Sequence, residues 1–321
     1  MVVNHINKKI MEQPIEVFSE TLVKMAEEDD RIVVLSSDSY KSGGAAEFKK
    51  RFPDRFFEFG ICEQNTATVA AGLAWAGLKP FWSAISTFVT MRCFEQIRND
   101  IVRPMLNVII CGRAAGLSYS MQGPTHVSID ELGIMRSLPK MTVFVPADCL
   151  DLRNIMHESI KLNGPIYFRK QKLPFPRVNP ENYKFEIGKG VLLKDGKDIS
   201  IIACGTMVQM ALETSEILEK TGINPEVINM HTLKPIDEEL IIKTAKKTGL
   251  IVTMEEHSII NGLGSAVADV LSQSCPTRII KFGFKDEWPI DGPVWAEVMD
   301  YHGLSAIKIA DRLKKTLKKK S

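Results

Sequence analysis

Asp38, Ser42, Glu63, Phe88, His126 and Arg169 are the residues of this sequence whose types and positions suit them to chemistry. Each follows a strand-like apolar run: Asp38 and Ser42 after 32–35, Glu63 after 56–59, Phe88 after 80–85, and Arg169 after 166–168. His126 ends the loop that leaves the run 106–111. An imidazole titrates near neutrality and can exchange a proton with a substrate oxygen. A guanidinium offers a planar fork of donors to a phosphate, carboxylate or sulfonate. Serine adds a hydroxyl, and a phenyl ring packs on a flat apolar ligand. Glu63 is a carboxylate in the first turn of a helix, among apolar neighbours. By composition alone it is an ordinary acid at a helix N-terminus, where the dipole favours it. Phe88 equally suits a core, and Ser42 and Arg169 equally suit a surface or an interface.

A sheet is needed to bring these positions together. Ile15, Phe18, Leu22 and Met25 lie on one helical face and precede the continuous apolar run 32–35. Further runs follow at 56–59, 80–85, 106–111, 141–145 and 166–168, with helical stretches between them. Helices feeding continuous apolar strands predict a parallel sheet covered on both faces. In such a sheet ligands bind beyond the carboxyl ends of the strands. Ser128-Ile129-Asp130-Glu131 reads as a capping box, and Pro146-Ala147-Asp148 opens another helix. The helix after Gly60 is rich in small residues (Ala67, Ala70, Ala71, Gly72, Ala74, Ala76), which predicts close packing against something large.

Three prolines between Lys172 and Tyr183 predict an extended linker. A second, smaller unit follows. Runs 190–193 and 199–203 flank a Lys-Asp-Gly-Lys turn that predicts a hairpin. Then come a helix 208–220, a strand 226–229, a helix 237–247 stopped by Gly249, and strands 250–254 and 278–284. The expected fold is α/β with two domains, each a mainly parallel sheet flanked by helices: 1–174, a Pro-rich linker 175–187, and 188–321.

Composition narrows the class. The 321 residues suffice for two full cores, and 45% apolar with 25% charged residues is ordinary for a globular protein. A net charge of +2 offers no argument for nucleic acid or an anionic membrane. The Lys-rich end (Lys314, Lys315, Lys318, Lys319, Lys320) reads as a solvated continuation of a last amphipathic helix. No apolar run approaches the ~20 residues of a membrane span, and residues 1–9 lack the apolar core of a signal peptide. Six cysteines without a CxxC pair read as reduced, packed thiols, hence a cytoplasmic protein without a metal cluster.

The string Arg55-Phe56-Phe57-Glu58-Phe59-Gly60-Ile61-Cys62-Glu63-Gln64-Asn65, with the Ala/Gly-rich run to Gly77 and on to Phe81, resembles the pyrimidine-binding module of the transketolase family of thiamine diphosphate enzymes. The likeness continues in order and spacing to about Arg169. A weaker one, carried by Glu255-Glu256-His257 and Gly262-Leu263-Gly264-Ser265-Ala266-Val267, extends to the family's C-terminal domain. The resemblance implies that Glu63 hydrogen-bonds N1′ of the aminopyrimidine, and that Phe88 and Ile85 lie against that ring. Ile85 stands where an aromatic residue is frequent. Arg92, with Phe94 and Gln96, fits a helix that serves either the cofactor or a subunit interface. His126, ending Gly123-Pro124-Thr125-His126, is implied to donate to a developing alkoxide. Gln122 and Ala114 replace an acid and a histidine that contact sugar hydroxyls in typical members, which puts the usual sugar phosphate in doubt. The implied substrate contacts are Ser42, Gln122, His126 and Arg169. His257 is placed either at the mouth of the site or in packing at an interface, and the Gly262-Leu263-Gly264 turn reads as a helix start rather than a phosphate cradle.

In that family the cofactor supplies a nucleophilic carbon that carries a two-carbon ketol unit from a ketose to an aldehyde, and a carboxyl group on N1′ activates it best where water is excluded. Relatives hold the diphosphate through Mg²⁺ on a Gly-Asp-Gly motif. No such triplet occurs in this sequence, and Asp291-Gly292-Pro293 lacks its context. The implication is a C-terminal (β) subunit of a split transketolase. It would be active only with an N-terminal partner subunit that binds the diphosphate and most of the Mg²⁺ shell, in an α₂β₂ assembly. Alternatives are the β subunit of a 2-oxoacid dehydrogenase, a deoxyxylulose-phosphate-synthase-like enzyme, and a non-catalytic or regulatory partner that keeps the fold.

Overall fold

Two parallel sheets, each closed at one edge by an antiparallel strand, carry the chain. The computed structural model describes residues 7–318; the expectations for residues 1–6 and for Lys319 and Lys320 lie outside them. The first half contributes β1 (Asn7–Glu12), β2 (Ile32–Ser36), β3 (Phe56–Glu58), β4 (Lys79–Ile85), β5 (Ile109–Arg113), β6 (Thr142–Phe144), β7 (Ile166–Lys170) and β8 (Phe175–Arg177). The second contributes β9 (Val191–Lys194), β10 (Ile199–Ala203), β11 (Pro225–Asn229), β12 (Thr232–Lys234), β13 (Leu250–Ser258) and β14 (Arg278–Phe284).

The larger sheet has the order β12-β6-β7-β5-β4-β2-β3, parallel except for the β12–β6 pair. Its central strands are buried on both faces, as their continuous apolar runs require. Alternate residues feed different cores. Ile32, Val34, Ile109, Ile166 and Phe168 pack with Val17, Phe18, Leu22, Leu152 and Ile155, from the helices Pro14–Glu28 and Cys149–Ser159. Val33, Leu35, Trp82, Ile110 and Tyr167 pack on the other face with Ala67, Ala70 and Ala71. Those alanines belong to the helix Glu63–Trp75, so its small residues do serve a close approach to the sheet. Truncating one such buried Leu or Ile to Ala costs about 2–5 kcal/mol.

The smaller sheet has the order β14-β13-β10-β11-β9. The expected hairpin between 190–193 and 199–203 does not form: β9 pairs antiparallel with β11, not with β10. The Asp195-Gly196 turn instead crosses the start of β11, where a Cβ on Gly196 would lie 2.1 Å from the Pro225 carbonyl carbon. A glycine chosen for a turn was chosen for a crossing.

The halves are interleaved. The Pro-rich stretch opens with β8, which pairs antiparallel with β1, and β12 leaves the second half to become the edge strand of the first half's sheet. A further bond joins the halves: Ser258 N–H donates to the Ile129 carbonyl (2.7 Å). Among the described residues no helix is long and apolar enough to cross a membrane.

Candidate active site

The carboxyl ends of β2, β3, β4, β5 and β7 open on one side of the larger sheet, and the reactive side chains collect there. Glu63 starts its helix immediately after β3 and the turn at Gly60, whose φ of +68° suits glycine. The carboxylate is 2% exposed. Its Oε1 accepts a 2.8 Å bond from Arg92 Nη1, while Oε2 is buried without a hydrogen-bond partner. Arg92 also lies over the Phe88 ring, 4.0 Å from its centre. Phe88 meets His126 edge-on at 5.1 Å, and Tyr119 approaches His126 at 6.0 Å. Glu63, Arg92, Phe88, His126 and Tyr119 therefore form one continuous wall. Ile85 ends β4, half-buried, beside Arg113 in β5.

His126 Nδ1 lies 2.8 Å from Thr125 Oγ1. Partial burial, and then the positive charge of Arg92, hold its pKa below the ordinary histidine value, so the imidazole is neutral at neutral pH and able to accept a proton. The loop before it ends in the helical turn Ser120–Thr125. Gln122 is exposed at its tip. Ala114 is buried with φ +52°, a strained value for a residue with a Cβ.

A second group of charges lies on the same edge. Ile15, Ser42, Arg113, Ala114, Tyr119, Lys170, Gln171 and Lys172 enclose a cavity of about 240 Å³. Arg113 and Lys170 are register partners on adjacent strands, and both are buried. Arg113 donates to Ser42 Oγ at 3.3 Å, and its Nε is buried without a partner. Burial, helped by Arg113, brings the Lys170 ammonium down to about 8. Two neighbouring buried cations, one of them with an unpaired donor, make this a place for an anion. Tyr119 joins the cavity to His126, and the Lys172 ammonium lies over the Tyr119 ring, 4.0 Å from its centre.

Arg169 does not belong to this site, and the expectation that it meets substrate is corrected. It is 1% exposed, and its guanidinium is taken up by Glu131, by the Glu256 carbonyl (3.0 Å) and by the Ser128 carbonyl (3.2 Å). The cause is strand periodicity: successive side chains face opposite ways, so Lys170 reaches the open edge while Arg169 turns into the seam between the domains. The same contact undoes the expected capping box. Glu131 bonds Arg169, and Asp130 at the helix start makes no side-chain cap. Asp130 instead has a buried Oδ1 without a partner, and burial pushes it up to about 6.

His257 is fully buried in that seam. Its Nδ1 lies 2.7 Å from the Ser258 carbonyl, and Gly133 N–H points at Nε2 from 3.4 Å. Packing, not the site's mouth, is its place. Glu255 caps the helix Leu263–Ser274 by accepting the N–H groups of Leu263 (2.6 Å) and Gly264 (2.8 Å). Those donors are committed, so the Gly-Leu-Gly turn is a helix start. Asp38 is exposed, with its N–H bonded to Glu58 Oε1 at 2.6 Å. Ser42 stands at the rim of the cationic cavity.

Sequence reasoning missed Arg113, Lys170 and Tyr119. A charged residue at the end of each of two mostly apolar strands was the available indication for the first two. Nothing local marked Tyr119.

Comparison with known proteins agrees with this architecture. Residues 14–176 match the family model "Transketolase, pyrimidine binding domain", and 188–309 match "Transketolase, C-terminal domain". The chain belongs to the transketolase family. It is 39% identical over 305 residues to a protein of Methanocaldococcus jannaschii described as a transketolase C-terminal section, covering 94% of this chain and 95% of that one. Over 286 residues it is 38% identical to the 6-deoxy-6-sulfo-D-fructose transketolase subunit of a Clostridium species, covering 86% and 89%. Among solved structures, a split gene transketolase described as an inactive β4 tetramer superposes with a TM-score of 0.86 at 42% identity, covering 95% of this chain and 98% of that one. The chain is thus of the β-subunit type found in split transketolases.

Proposed function

We propose that this protein is the β subunit of a two-subunit transferase that moves a two-carbon ketol unit from an anionic ketose to an aldehyde. Thiamine diphosphate would lie between this chain and a partner that binds the diphosphate and Mg²⁺. The observation that carries the reading is the second oxygen of Glu63, a buried carboxylate oxygen with no partner in a wall that also holds Phe88 and His126. Leaving such an atom unbonded costs about 1–3 kcal/mol or more, and a ligand N–H would satisfy it. An aminopyrimidine with a proton on its ring nitrogen offers that donor together with a flat face for Phe88 and Ile85.

The bound cofactor would supply a nucleophilic carbon. Glu63 would share a proton with the ring nitrogen in a site from which water is excluded, where such a bond is strong. Arg92 holds the other Glu63 oxygen and so orients the carboxylate. His126, neutral at neutral pH, would move a proton at the substrate oxygen. Arg113, Lys170 and Ser42 would hold the anionic end of the ketose, the part first assigned to Arg169. A relative named for a sulfo sugar supports an anionic substrate. A relative described as an inactive β4 tetramer supports dependence on a partner, as does the missing Gly-Asp-Gly. A site shared by two kinds of chain requires at least an αβ pair, and an α₂β₂ assembly would hold two such sites.

Calorimetry tests the reading. Thiamine diphosphate with Mg²⁺ should bind the mixture of this chain and its diphosphate-binding partner, and neither chain alone, and Glu63→Gln should abolish turnover by the mixture. A confirmed complex that binds no cofactor would leave the non-catalytic reading that the Gln122 and Ala114 replacements motivate. Tight binding by this chain alone would refute the shared site.

A further inference from the structure

We propose that Glu256, in the C-terminal domain, is a positioning residue that sets the shape of the loop carrying Tyr119 and His126. The proposal rests on the reading of loop 112–126 as the substrate side of the active site. It goes further by giving the second domain a part in the reaction.

β13 is nine residues long, and its ladder to β10 ends at the Ala203–Met254 pair. The overhang Glu255-Glu256-His257 reaches across the seam, and all three residues are buried. Strand alternation turns Glu255 and His257 to one side and Glu256 to the other. Glu255 is spent on capping a helix. Glu256 enters the loop: its Oε1 accepts the N–H of Leu117 (2.7 Å) and the Nε1–H of Trp295 (3.0 Å), and its Oε2 accepts from the Thr206 hydroxyl. Three donors from three segments converge on one carboxyl group, which is what a buried acid needs to be tolerated.

The loop is built around that contact. A Cβ on Gly116 would lie 2.2 Å from Glu256 Oε1, and Gly116 has φ +62°; only glycine leaves room for the carboxylate in that backbone shape. A second tether comes from the same domain, because Ser120 Oγ donates to the Gly292 carbonyl at 2.5 Å. Tyr119 lies between the two tethers, and the turn that starts at Ser120 ends at His126. Loops without such ties sample many shapes, and displacing a reacting group by about 1 Å costs about 100-fold.

The test uses the complex of this chain with its diphosphate-binding partner. Glu256→Ala should lower kcat/KM by about 100-fold. Thiamine diphosphate affinity should stay unchanged, because Glu63 and Phe88 follow other strands, and hydrogen exchange in 113–126 should rise. Glu256→Gln should restore most of the activity, since its amide oxygen can accept from Leu117 and Trp295 while the Thr206 hydroxyl turns to accept from the amide nitrogen. Gly116→Ala should imitate Glu256→Ala from the loop side. The double variant should lose less than the product of the two single losses, because both break one contact. Glu256→Ala with undiminished kcat/KM would overturn the proposal. So would Glu256→Gln as damaging as Glu256→Ala, or a loss of turnover that merely follows a loss of cofactor affinity. If the wild-type complex bound no cofactor, the functional reading would fail by itself. The exchange measurement would then decide the positioning role alone, and unchanged exchange in 113–126 would overturn it.

Discussion

The wall formed by Glu63, Arg92, Phe88 and His126 and the seam formed by Glu131, Arg169, Glu255, Glu256 and His257 lie on either side of one loop, and they treat charge in opposite ways. In the seam the charges are buried and largely committed. Arg169 bonds Glu131 and two carbonyls, Glu255 caps a helix, and Glu256 holds three donors. In the wall the bonding is incomplete. Glu63 keeps one free buried oxygen, Arg92 is 41% exposed, and Arg113 nearby keeps a free buried nitrogen. Committed charge fixes the relation of two domains; uncommitted buried charge is what a ligand can complete. Burial alone does not separate the two, since Glu63 and Glu256 are each 2% exposed. The count of unused valences does.

The sharpest way to break the comparison is Glu63→Gln. It should cut kcat of the assembled enzyme by about 10²–10⁴-fold, the range for losing a positioned proton-transfer group, with little change in urea midpoint. A large loss of stability would mean that Glu63 is structural after all. Arg169→Met should do the reverse. It leaves Glu131 buried and unpaired, and should cost about 3–5 kcal/mol in urea denaturation. Adding Glu131→Leu should recover most of that loss. A single variant as stable as wild type would show that the seam does not depend on its ion pair.

A pH series sharpens the contrast further. Burial drives His257 down to about 4, with Glu131, Arg169 and Glu255 around it. A histidine kept neutral in the folded state contributes stability above its ordinary value of 6.5 and loses it as pH falls toward 4. Glu255, pushed up to about 7 by burial, has the opposite sign: its contribution is complete below its ordinary 4.5 and is lost as pH rises through 7. Comparing wild type with His257→Gln isolates the first effect. Between pH 7 and 5 wild type should lose on the order of 2 kcal/mol more than the variant. Parallel curves would remove His257 from the account.

The smallest expected effect concerns the cationic cavity. Lys170 should be charged below about 8, so KM for an anionic ketose should rise as pH passes that value. Lys170→Met should raise KM about tenfold at pH 7, the worth of one hydrogen bond to a charged group, and remove the pH dependence. A neutral ketose should show neither change. Equal effects on neutral and anionic donors would show that the cavity does not read charge.

Much of the fold was legible along the chain because it rests on local pattern. The continuous apolar runs 32–35 and 166–168 had to be strands covered on both faces, the small residues from Ala67 to Ala71 had to pack closely against something large, and Gly249 had to stop a helix. The string around Glu63 also specified its own family. Its anomaly, a carboxylate among apolar neighbours, was visible without any coordinates. Three things had no local trace. The pairing of β9 with β11 depends on which strand edge is free once the second sheet has assembled. The loan of β12 to the first sheet depends on how the domains meet. The exchange of roles between Arg169 and Lys170 depends on the phase of β7, and a shift of one residue reverses which side chain faces the cavity. Sequence by itself determined the central strands and the main helices, though not the short strands β1, β8 and β12, and which carboxylate stands apart, because those follow from neighbours within a few residues. Only the tertiary structure decided which buried charges are used up and which remain free, because a hydrogen bond's partner is set by distance in space and not by distance along the chain.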